Sequence, residues 1–93
     1  MEWAIHATVM AERVKEGDLP RIFGEQKDFS HFELGNGLWG GVEVPSPGML
    51  EIYTRSKDPC AVMAVLMEIC ERVDRVGFKI ARLSIEAIPL GKD

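Results

Sequence analysis

The chain carries no tract of basic residues, no cysteines at metal or redox spacing and no long apolar run. Its 11 Lys and Arg are outnumbered by 15 Asp and Glu, giving a net charge of −4, and they stand singly or in loose pairs. A nucleic-acid partner is therefore not expected, because the phosphate-neutralising attraction that drives such binding has no source. The longest apolar run, Ala61 to Met67, falls well short of the roughly 18 residues that cross a bilayer, so no membrane partner is expected. The N-terminal MEWAIHATVM has no basic stretch and places a glutamate second; it does not read as a signal peptide.

Signature motifs are missing as well. Neither G-x-G-x-x-G nor G-x-x-x-x-G-K-[ST] occurs, nor G-x-S-x-G, C-x-x-C or H-E-x-x-H, so no phosphate cradle, nucleophile elbow, redox pair or zinc helix is encoded. No cofactor and no metal are expected on these grounds. The two cysteines, Cys60 and Cys70, fall on one predicted helix, about 15 Å apart along its axis. A disulfide needs α-carbons within about 7 Å, so they cannot bridge each other. Two free thiols fit a reducing, cytoplasmic setting. A position near a helix N-terminus could activate Cys60, but a small apolar packing role is the simpler reading.

What is present is an ordinary globular hydrophobic content, 46% over 93 residues, enough for one domain over residues 1–93 with one modest core. The most defined segment is Asp58 to Gly77. Asp58 is placed to cap the first turn, Pro59 suits the first helical position, and Gly77 suits a left-handed stop. At 100° per residue Val62, Val65, Leu66, Ile69, Val73 and Val76 form one stripe, expected to face a sheet. Glu68, Glu71, Asp74 and Arg75 lie opposite in the second half. In the first half the opposite side holds Cys60, Ala64 and Met67, so something should cover them: the segment 11–24, or a second molecule.

Strands are predicted at about 3–9, 29–34, 38–44, 49–55 and 79–88, each from two-residue alternation. Gly35-Asn36-Gly37 reads as a tight hairpin turn, and Pro45-Ser46-Pro47-Gly48 as a second turn. Gly40-Gly41 inside a strand suggests a bulge or a close backbone approach. In the last strand Ala81, Leu83, Ile85 and Ala87 are expected to face inward. Residues 11–24 read as a helical turn or two over Ala11 to Glu16, a break at Gly17, and a short helix ending at Gly24 that buries Leu19, Ile22 and Phe23.

Assembled with right-handed crossovers, this order places the first and last strands side by side in an antiparallel-rich sheet with both helices on one face. The expected class is α+β, a ferredoxin-like sandwich with one extra meander strand, or an open-faced ββαβ variant if residues 11–24 are irregular.

The other face would then carry Glu2, His6 and Thr8, His31 and Glu33, Trp39 and Glu43, Glu51, Tyr53 and Arg55, and Arg82, Ser84 and Glu86. A cross-strand pair of Glu51 with Arg82 is one way to solvate it. Trp39, Tyr53 and Arg55 are residue types that anchor interfaces, and with Cys60, Ala64 and Met67 they are the candidate interface. His6, His31 and Glu33 are the candidates for acid–base work or for a metal pair at His31-x-Glu33. The leading expectation is a small interaction or regulatory module, homo-oligomeric, meeting a protein partner through its open sheet face and acidic surface. The alternative is a small enzyme or ligand-binding domain using those His, Glu, Tyr and Arg side chains. A weaker one is an inhibitor whose acidic surface mimics nucleic acid in another protein's basic groove.

Overall fold

Ile5, Ala7, Val9 and Ala11 are buried in alternation along β1 (Trp3–Ala11). That pattern of one dry side follows from the two-residue pleat of a strand. The computed structural model describes residues 1–91. After β1 come a 3-10 turn (Glu16–Asp18), α1 (Leu19–Phe23), β2 (Phe32–Gly35), β3 (Leu38–Ser46), β4 (Met49–Ser56), α2 (Pro59–Arg75) and β5 (Ile80–Pro89). The five strands form one sheet in the order β2-β3-β4-β1-β5, antiparallel at every neighbour. The first and last strands are adjacent, as expected.

Both helices lie on the face that β1 turns inward. Val62, Val65, Leu66, Ile69 and Val73 of α2 join Leu19, Ile22 and Phe23 of α1 and the inward residues of β1, β2, β3 and β4 in one buried cluster. The caps of α2 are those read from the sequence. Asp58 Oδ1 accepts from the amides of Cys60 at 3.0 Å and Ala61 at 3.3 Å, and Gly77 follows the helix at φ +101°, a conformation costly for any residue with a β-carbon. The hairpin at Gly35-Asn36-Gly37 also forms, with Glu33 accepting from the Gly37 amide at 2.8 Å.

Four expectations are corrected. Ala11 to Glu16 is not an α-helical turn: Ala11 completes β1, Arg13 at φ +68° turns the chain, and Glu16 only opens the 3-10 turn. Gly17 lies within the 3-10 turn rather than breaking a helix. Phe29 to His31 is not strand, because Asp28 Oδ1 captures both the amide and the hydroxyl of Ser30, at 2.9 and 2.6 Å; this local turn competes with a ladder. Glu51 and Arg82 do not pair, since β1 stands between β4 and β5 and the two are separated by its width.

A fifth correction concerns the far strand. Of its expected inward residues only Leu83 is half-buried, while Ala81, Ile85 and Ala87 are exposed. Ala81 falls at a register shift opposite Met10 and Ala11. Ile85 and Ala87 do face the helix side, as their partners Ala7 and Ile5 do, but the helical layer leaves them uncovered. Among the described residues no helix is long and apolar enough to cross a membrane.

Candidate functional site

The face without helices holds a groove of about 750 Å³. Its floor is made by β1, β4 and β3: Ala4 and His6, Tyr53, and the glycines Gly40 and Gly41. Ser30, His31 and Trp39 rise on one side, Glu86 and Ile88 of β5 on the other, and Arg55 closes in along β4.

Gly41 explains how the first wall is attached. It points to the open face, yet it is buried, because the Ser30 backbone lies directly on it. A β-carbon there would stand 2.4 Å from the Ser30 carbonyl oxygen. The Val42 amide donates to the Phe29 carbonyl at 2.8 Å, so the Asp28 turn is laid across β3 and carries His31 to within 5.1 Å of the Trp39 ring. Gly40 meets the same requirement from below, where a β-carbon would fall 2.2 Å from the Tyr53 carbonyl oxygen. The glycine pair is therefore a close approach on both faces rather than a bulge. Ser30 hydrogen bonds hold the Asp28 carboxyl below its ordinary range.

The centre of the face is a polar chain. His6 stacks on Tyr53 with ring centroids 4.5 Å apart and planes 3° from parallel. The Tyr53 hydroxyl reaches Glu51 and, at 3.1 Å, Glu43. One phenolic proton thus serves two carboxylates that are direct cross-strand neighbours, a placement that costs energy unless something relieves the repulsion. Chiefly through the Glu51 bond, with lost hydration and Glu43 adding to it, the Tyr53 phenol is pushed well above its ordinary range. The Nε2 atom of His6 is 3.5 Å from the same Glu51 carboxylate and, although buried, has no hydrogen-bond partner. Arg55 is engaged at 3.7 Å by Glu2.

Trp39, Tyr53 and Arg55 thus share one groove, and His6 and His31 line the same groove. Glu33 does not join them: its carboxylate is spent on the Gly37 turn. Among the described residues no three His, Cys, Asp or Glu side chains converge as a metal site would require. Cys60, Ala64 and Met67 lie on α2, behind the sheet, and all three are exposed; no part of residues 11–24 covers them. Cys60 is accordingly not a packing residue. Cys70 is partly covered, and burial pushes its thiol up.

Sequence reasoning missed Ser30, Ala4 and Ile88 as groove residues. Asp28-x-Ser30 was the available signal for the first, since that pattern favours a local turn. Ala4 and Ile88 sit opposite each other across β1 and β5 and were hidden as apolar positions on an otherwise polar face. No protein-family model, no curated protein and no solved structure matches this chain.

Proposed function

We propose that the protein is an interaction module that takes a basic segment of a protein partner on its open sheet face, with a lysine or arginine side chain entering the groove. One observation carries this reading: Glu43 and Glu51 stand opposite each other at the Tyr53 hydroxyl, next to the groove that Tyr53 and the exposed Trp39 line. A cation there relieves like-charge repulsion and gains the aromatic face, an attraction of roughly 0.5–2 kcal/mol. Glu86 at the opposite wall adds to the negative field. The volume lies within the roughly 300–1,000 Å³ range of binding pockets, and Trp, Tyr and Arg are the residue types that dominate interface energetics.

We read the fold as a ferredoxin-like sandwich carrying one additional edge strand. Supporting this is the order β3-β4-β1-β5 that remains when the four-residue β2 is set aside, with helical segments after β1 and after β4. The two unpaired thiols support a reducing, cytoplasmic setting.

The test is a fluorescence titration. Trp3 and Trp39 are the two tryptophans, so a Trp3→Phe background leaves Trp39 as reporter. Lysine- and arginine-bearing peptides should change its emission, with affinity falling as salt rises, and Tyr53→Ala should weaken the response. Equal responses to acidic and basic peptides, or a response indifferent to salt, would overturn the proposal.

A further inference from the structure

The β5 strand is an edge strand of ten residues, and among the described residues no strand pairs with its outer side. The Leu90 amide donates to the Glu2 carbonyl at 2.8 Å, so even-numbered backbone groups turn toward β1. By alternation the amides and carbonyls of Leu83, Ile85 and Ala87 turn to the open edge. A long unpaired edge is a template for another strand unless short length, bulges or inward charges blunt it. Here Pro89 and the Ala81 register shift limit the two ends, and the middle is bare.

The sequence of that middle is complementary to itself. Counting outward from Ser84, Leu83 matches Ile85 and Arg82 matches Glu86, and the register shift at Ala81 ends the match on that side. In an antiparallel pair of identical strands related by a two-fold axis, the residues facing each other are those equidistant from the axis. Both must lie on the same face, so the axis must pass through a residue. Through Ser84 it sets Arg82 opposite Glu86 twice. Moved to Leu83 or Ile85, it sets Glu86 opposite Ile80 or Ser84 and leaves the charges unmatched.

Among the described residues no side chain forms an ion pair with Arg82 or Glu86. Arg82 is held along the strand by its Nε bond to Ser84 Oγ at 3.2 Å. The helix side agrees. Gly35 lies against Val65 and Glu68, which fixes that flank of α2 toward β2. The other flank, with Met63 and Cys70, therefore looks toward β5, and Met67 stands further round, away from the sheet. Met63 and Ile85 are 42% and 39% exposed, apolar positions on the same side of the molecule.

We propose that β5 is a self-association edge: a second copy of this chain pairs its own β5 antiparallel about Ser84, with Arg82 against Glu86 of the second copy and the Met63 flanks of α2 meeting above. This does not depend on what the groove binds. It does extend the groove, because Glu86 lines it and Arg82 of the second copy would stand beside Glu86 at that wall.

Charge exchange in the full chain tests both the surface and the register, read by sedimentation equilibrium. The wild type should dimerise. Arg82→Glu and Glu86→Arg should each weaken the dimer by roughly tenfold or more, since two pairs turn repulsive at once. An equimolar mixture of the two variants should form a heterodimer, because each then supplies the charges the other lacks, and the double variant should dimerise like the wild type. Rescue on mixing also shows that each variant is folded. Trp39→Ala should leave the dimer intact. A wild type that is monomeric at every accessible concentration, or a dimer that withstands both single exchanges, overturns the proposal.

Discussion

The two ends of the sheet are finished in opposite ways. At the β2 end the edge strand has four residues, the Asp28 turn lies across β3 at Gly41, and Phe32, Leu34 and Val42 are buried with α1 above them. At the β5 end the strand is ten residues long, and its helix-side residues Ile85 and Ala87 are left exposed. Burial was concentrated where a local turn and a short helix could close over the sheet. At the other end one helix flank and one strand edge share an apolar border that this chain does not cover. The contrast teaches that coverage is set by what the connections can reach: the β1 to β2 connection folds back over the β2 end, whereas the connection from α2 to β5 is short and adds no cover.

Neighbouring residues of α2 give the largest test of that contrast. Leu66 is 1% exposed and Met67 53%, one facing the core and the next facing the uncovered side. Leu66→Ala should cost about 2–5 kcal/mol by lost burial and a residual cavity, whereas Met67→Ala should stay within about 0.5 kcal/mol. Urea unfolding of dilute protein, where association is suppressed, measures both. A cost for Met67→Ala near that for Leu66→Ala would mean that the flank is covered within the monomer.

A second, smaller effect separates the glycines. Gly41→Ala drives a β-carbon into the Ser30 backbone, so the Asp28 turn must lift. We expect a loss of roughly 1–3 kcal/mol, as for overpacked sites, together with a changed NMR environment for His31. Gly17, with nothing within 4 Å of its would-be β-carbon and no left-handed φ, should accept alanine and gain about 0.4–1 kcal/mol from the restricted unfolded chain. Equal responses at the two positions would remove the close approach as the anchor of the groove wall.

These cases also show what could be read before the fold was known. The α2 boundaries were legible because Asp58, Pro59 and Gly77 each carry a local physical signal, and the placement of β1 beside β5 followed from handedness. Trp39, Tyr53, Arg55, His6 and His31 were assigned to one face by alternation alone, and all five line the groove. What alternation cannot give is the neighbour across the sheet: Glu51 was matched with Arg82 instead of His6 and Tyr53, because strand order decides that pairing. Nor can it show how far a helix reaches. Ile85 and Ala87 sit on the helix side with no helix over them, and their period-two pattern is the same whether the side is covered or bare.

The smallest predicted effect lies on the boundary between covered and bare. Cys70 sits between the buried α2 stripe and the Met63 and Met67 flank, partly covered, while Cys60 is exposed. Burial disfavours the Cys70 thiolate and raises its pKa. At neutral pH a smaller fraction of Cys70 is therefore in the reactive form, and a thiol reagent should modify Cys60 first, as followed by mass spectrometry of the intact chain. The rate at Cys70 should keep rising at pH values where an ordinary thiol has levelled off, because its deprotonation is displaced upward. If β5 associates as proposed, raising the protein concentration should slow Cys70 further, because it sits next to Met63 on the flank that becomes covered. Equal rates at both sites under all these conditions would show that the flank opens as freely as the first turn of the helix, and the difference between the two ends of the sheet would then extend into α2 itself.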